Sequence, residues 1–256
     1  MARIAQGTVK ADADFGEGYW TDHWSYGLDL IEDFLRIWPE REQELMQMEL
    51  PWYRPQAQIL PREKRYSVSG GELRQYHFLE ETPGEKWCRD GAENLVKATL
   101  LEKLVCMCAM KFAALDAWGC GIEMEGGRPG WYDALNGLPA LFGSSVTEAM
   151  ELLRHLRFLK VSLRRYGGKV SLPGPHYMLL MRLKQSVEDI PEYTGNTVLV
   201  DFWNSSKSAL EHCREEVYTQ GAWDYADCQA EQLAEMLDTW ANFLGQRLAL
   251  CRGENG

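Results

Sequence analysis

Residues 119–145, GCGIEMEGGRPGWYDALNGLPALFGSS, gather the side chains of this chain best suited to chemistry. Three carboxylates, Glu123, Glu125 and Asp133, can hold or transfer a proton. Trp131 and Tyr132 offer flat stacking faces, and Arg128 and Asn136 add hydrogen-bond donors. Seven glycines and two prolines mark the stretch as a loop, and glycine allows close backbone approach to a ligand. Aromatic faces beside carboxylates suit a sugar: the ring stacks, while hydroxyls and the glycosidic oxygen meet Asp and Glu. On composition alone, an ordered loop whose carboxylates cap helices or face water is the competing reading. A second polar-aromatic cluster comprises Glu17, Tyr19, Trp20, Asp22 and His23, directly before a run of helical periodicity. Helix capping plus aromatic core is the competing reading there. If both clusters serve one cleft, Asp22 or His23 comes within roughly 12 Å of Asp133, the span of a glycosidase carboxylate pair plus a sugar.

Helices must hold these loops. Trp24, Leu28, Ile31, Leu35 and Trp38 recur at helical spacing after Thr21, a candidate N-cap, and Pro39 ends or kinks that helix. A short helical piece follows over about 40–48. Residues 51–93 read as an irregular excursion, with a hairpin turning at Gly70-Gly71 and carrying Arg74 and His77. The pattern over 94–118 predicts a long buried helix, apolar on most faces between Leu100 and Leu115. Thr147 is the expected cap of an amphipathic helix running to about Tyr166 and stopped by Gly167-Gly168. Its Arg154, Arg157, Lys160, Arg164 and Arg165 read as a solvated face. A helix after Pro175, one over about 201–219 and one over about 225–251 bring the expected number to seven or eight. No βαβ signal or short repeat appears, so the class is mostly α. Alternation of very apolar and amphipathic helices fits a helical-hairpin barrel whose loops gather at one end.

Composition narrows the function. The chain has 256 residues and a formal net charge of −11, with no basic stripe to neutralise phosphates, which argues against a nucleic-acid partner. No run of about 18 apolar residues is present, so no membrane-spanning helix is expected. The N-terminal residues lack the apolar core of a secretory signal. The cysteines number seven, without a Cys-x-x-Cys pair or a His cluster at zinc spacing. Reduced thiols in a cytoplasmic protein without a bound metal or cofactor are the expectation.

Two stretches, GEGYWTDHWSYGLDLIEDFLRIWPER and GIEMEGGRPGWYDALNGLPALFGSS, resemble bacterial cellobiose-phosphorylase-like proteins related to glycoside hydrolase family 94. The resemblance covers roughly 15–250. It implies an (α/α)6-barrel catalytic domain over 16–251, here partial, behind a loose leader at 1–15 and with the irregular hairpin insertion at about 51–93. In that family the general acid is the second Asp of an Asp-Trp-Asn-Asp-Gly-Met-Asn motif. Here Trp131, Asp133 and Asn136 match it, while Gly130 and Tyr132 replace the first Asp and the Asn. The resemblance therefore implies an inverting enzyme that cleaves β-glucosidic bonds with Asp133 as general acid. Inorganic phosphate or water would be the nucleophile. For water, Glu125, Glu123, Asp22 and Glu17 are the candidate activating carboxylates. The residues implied to meet the substrate are Trp131, Tyr132, Asn136, Arg128, Glu123, Tyr19, Trp20, Asp22 and His23. The alternative is a non-catalytic, carbohydrate-binding or inactive fragment of such an enzyme. A six-hairpin barrel needs twelve helices, so this shorter chain is expected to expose an apolar flank. A second copy, or the remainder of a longer parent chain, would cover it.

Overall fold

The computed structural model describes residues 4–5, 8–9, 23–53, 57–75, 79–82, 84–123, 144–191, 197–219 and 223–251. Eight α-helices among them carry the fold: α1 (His23–Ile37), α2 (Glu42–Met46), α3 (Arg62–Arg65), α4 (Leu100–Ala113), α5 (Val146–Tyr166), α6 (Gly174–Glu188), α7 (Val200–Thr219) and α8 (Ala230–Leu250). Pro39 opens a single 3-10 turn between α1 and α2, as a residue lacking an amide hydrogen should. The mostly helical class expected from the sequence therefore holds.

Helix α4 lies at the centre, packed on α5, α6 and α7. Leu101, Leu104, Val105, Cys106, Cys108, Ala109, Phe112 and Ala113 bury successive faces of it. It is shorter than the 94–118 helix predicted. Thr99 accepts the Glu102 amide while the Glu102 carboxylate receives the Thr99 amide, a reciprocal cap that starts the helix there. Lys97–Thr99 instead pairs antiparallel with Glu49–Pro51 and closes the base of the excursion. Inside the excursion, Tyr66–Ser69 and Glu72–Gln75 form the expected hairpin. Gly70 and Gly71 turn it at φ of +63° and +81°, the double positive φ that a two-residue turn of matching twist requires. Arg74 lies on its second strand, and His77 falls outside the described residues.

The outer helices are oriented by ion pairs. Arg154 on α5 holds Asp29 and Glu32 of α1, and Arg165 holds Glu42 of α2, so α1 runs parallel to α5. Lys160 meets Asp238 and Arg164 meets Glu231, so α8 runs antiparallel to α5. The basic run on α5, expected as a solvated face, is thus largely a ladder to three neighbouring helices. At the far end of α5, Lys169–Pro173 pairs antiparallel with Tyr225–Gln229. Five residues predicted as the start of the last helix are therefore a strand, whose partner lies too far along the chain for local periodicity to reveal.

His176 sits in the first turn of α6, buried, with its ring stacked on Trp52 at 5.6 Å and 22°. Burial pushes its imidazole down to about 4. The folded state therefore favours neutral His176, and the unfolded chain binds the extra proton. Stability from this residue is complete above about pH 6.5 and is lost as pH falls toward 4, up to about 3 kcal/mol over that window. His176→Phe should flatten this part of a plot of urea midpoint against pH. An unchanged slope between pH 7 and 5 would assign the acid sensitivity to another group.

Candidate functional site

The loop at residues 124–143 lies outside the described residues, and with it Glu125, Arg128, Trp131, Tyr132, Asp133 and Asn136. Tyr19, Trp20 and Asp22 lie outside them as well, and of His23 the backbone is described, at the start of α1. The described residues that border both stretches are placed as follows.

The central loop has a closed stem. Ile122–Glu123 pairs antiparallel with Ser144–Ser145, so the two ends of the loop are tied together. Asp116 organises the turn beneath. It accepts the amides of Trp118 and Cys120, each at 3.1 Å, and the Ser144 hydroxyl at 2.6 Å. Gly121 makes this possible: a Cβ there would come within 2.5 Å of Ser144 Oγ and 2.8 Å of Asp116 Oδ2. Ser145, rather than the expected Thr147, caps α5 by accepting the Glu148 amide. The Ser-Val-Thr-Glu spacing at 145–148 is itself a helix-start signal that the sequence reading passed over.

Five helix ends converge on this stem. Glu148, buried in the first turn of α5 where the helix dipole favours an anion, binds Lys111 at the end of α4 at 3.2 Å. It also receives the indole N–H of Trp24, at the start of α1, at 3.3 Å. Lys111 lies over the Trp24 ring at 4.8 Å from its centroid. Near the start of α7, Leu199 donates its amide to Ala117 O. Arg247 of α8 donates to the carbonyls of Trp118 and Thr197. The helix that follows residues 17–22 is thus anchored three residues from the stem of the central loop.

Glu123 is the one substrate-contact candidate whose side chain is described. Both its oxygens are engaged by protein: Oε1 accepts the Trp203 indole at 2.6 Å, and Oε2 faces Lys207 Nζ at 2.7 Å. The guanidinium of Arg62, from the excursion, lies 5.2 Å from the Trp203 ring centroid and pairs with Glu211. The excursion is thereby joined to the loop stem through α7. Asp116, Glu148, Lys111, Lys207, Trp203 and Arg62 were not singled out from the sequence. Their partners are distant in the chain, and apart from the 145–148 cap nothing local marks them.

Burial, with Cys251 and Asp116 alongside, pushes the Cys120 thiol up to about 12, far from a reactive thiolate. Among the described residues, no group of three or more His, Cys, Asp or Glu side chains is placed to hold a metal ion. No described helix is long and apolar enough to cross a membrane. His155, buried against the Trp24 ring at 4.8 Å, has its imidazole pushed below the ordinary value by desolvation. What the described residues show at this site is the paired stem and the helix ends around it. Neither a protein-family model nor a curated protein matches the chain.

Proposed function

We propose that this chain is a carbohydrate-active enzyme that cleaves β-glucosidic bonds with inversion, on a partial (α/α)6-barrel-like helical framework. The observation that supports it is the closed stem at Ile122–Glu123 and Ser144–Ser145, which ties down the loop carrying Trp131, Asp133 and Asn136 where α1 also begins. Catalytic and binding residues are disproportionately carried on loops that a rigid scaffold holds at their ends. The antiparallel packing of α5 on α8, and the packing of α6 on α7 with the Ser186 and Ser205 hydroxyls 2.8 Å apart, suit a framework of helical hairpins.

In this reading protonated Asp133 donates to the glycosidic oxygen while phosphate or water attacks the anomeric carbon from the opposite face. Walls formed by Trp131 and Tyr132 would favour the protonated acid by desolvation. Glu123, with both oxygens engaged, holds the loop rather than activating water. Glu125, Asp22 and Glu17 are then the candidates for that task if the reaction is hydrolysis. The chain needs no metal for either route, and inorganic phosphate would enter as co-substrate.

The test is incubation with cellobiose and aryl β-glucosides, with and without inorganic phosphate. The products to follow are glucose 1-phosphate and free glucose, with the anomer assigned by NMR. Phosphate-dependent release of α-glucose 1-phosphate identifies a phosphorylase, and α-glucose an inverting hydrolase. No turnover, with weak sugar binding abolished by Trp131→Ala, would replace the enzyme reading by a carbohydrate-binding one. Neither turnover nor binding would end the carbohydrate reading.

A further inference from the structure

A groove of about 960 Å³ runs along the outside of α5, with α1 as one wall and the last turns of α8 as the other. Its floor is the α5 face of Met150, Leu153, Phe158 and Val161, and Leu35 and Leu248 line the walls. Met150 is 52% and Val161 43% exposed, large values for side chains that ordinarily pack. Among the described residues, α4 is packed on α5, α6 and α7, while an open apolar face belongs to α1, α5 and α8. The spacing of the floor residues is that of a helix surface prepared for a neighbouring helix.

Helix α1 carries a second, outward stripe besides the face it buries on α5. Tyr26, Leu30, Asp33 and Ile37 recur at intervals of four, three and four residues, the spacing of a helix-packing seam. Leu30 is 72% and Ile37 65% exposed. The two surfaces also match in charge. Asp33, within the α1 stripe, is exposed and pairs only with the equally exposed Arg36 among the described residues. Arg157 lines the middle of the groove, and among the described residues no carboxylate pairs with it.

We propose that the groove is filled by α1 of a second copy of this chain. In a twofold arrangement each α1 packs its inner face on its own α5 and its outer stripe on the other copy's α5. The two α1 helices then lie side by side and antiparallel as the middle layer of a four-helix stack. Such contacts are isologous, so one surface supplies both the knob and the groove, and the assembly closes at two. Asp33 of one copy meets Arg157 of the other near the centre. Exchange of the Asp33–Arg36 pair at the surface for this contact costs little, because exposed ion pairs contribute little.

Sedimentation equilibrium of the full chain tests this. A dimer is expected, with dissociation raised by about tenfold or more in Leu30→Glu and in Val161→Glu, each of which places a charge at the buried seam. Asp33→Arg and Arg157→Glu should each weaken the dimer, and the double exchange should restore it. Circular dichroism reports whether each variant is folded. Leu30 points to solvent in the single chain, so its substitution keeps the test valid if Val161→Glu misfolds. A monomeric wild type, a dimer indifferent to Leu30→Glu, or open-ended aggregation would each overturn the proposal.

Discussion

For the glucosidase or phosphorylase proposed above, Asp133→Asn is expected to leave the urea midpoint unchanged and to lower turnover of substrates with poor leaving groups by about 10²–10⁴-fold, the ordinary worth of general acid catalysis. The substitution is nearly isosteric, so no packing change accompanies the lost proton. Leaving-group dependence makes the test specific. Aryl glucosides whose phenolate departs unaided need little protonation, so their turnover should fall far less than that of substrates with poor leaving groups. The acidic group controlling the basic limb of the pH–rate profile should also vanish. Glu188→Gln, on the exposed end of α6 where it pairs with Lys184, is the control and should change nothing. Full activity with an unaltered pH profile in Asp133→Asn would remove Asp133 from the mechanism, and with it the proposed role of the central loop.

Phe112→Ala should produce the largest loss of stability. Phe112 is fully buried in α4 and stacks on Trp240 of α8 at 4.5 Å and 11°. Phe202 and Phe243 meet it edge-on at 6.1 and 5.9 Å. Truncating a buried Phe costs about 3–5 kcal/mol from lost transfer energy and the cavity left behind, against a total of about 5–15 kcal/mol for a domain. The effect should reach the candidate site. Phe243 lies 3.0 Å from where a Cβ of Gly119 would stand, so the aromatic cluster is the floor of the Asp116 turn. Amide exchange over residues 114–123 should rise together with the shift in urea midpoint. Met178→Ala, at a half-exposed position on α6, should stay within about 0.5 kcal/mol. A Phe112→Ala loss below about 1 kcal/mol would mean that the cluster collapses to fill the void, and that the stem does not depend on it.

Features encoded within a few residues were legible in the sequence. The hairpin at Gly70-Gly71, the opening of α6 at Gly174-Pro175 and the end of α5 at Gly167 each follow from φ preferences of one or two residues. The inner face of α1 followed from periodicity, since Leu28 and Ile31 are buried as their spacing requires. Boundaries failed where a non-local partner intervened. Lys97–Thr99 and Tyr225–Gln229 carry enough apolar character to extend a helix, yet each is captured by a strand distant in the chain. The α5 cap moved from Thr147 to Ser145 because pairing with Ile122 holds Ser145 extended, with its hydroxyl facing the Glu148 amide.

The sequence by itself determined that the chain builds amphipathic and apolar helices around glycine-rich loops, because helical periodicity, caps and turns are written in residues close together. It also concentrated carboxylates and aromatics in one glycine-rich stretch. Only the tertiary structure decided which charges are structural. Arg154, Lys160 and Arg165 look alike in sequence to any solvated face, but α1, α8 and α2 bring carboxylates to them. Glu123 resembles Glu125 as a candidate for chemistry until Lys207 and Trp203 take up its two oxygens. A carboxylate's role depends on what surrounds it, and those neighbours come from helices that meet only when the chain has folded.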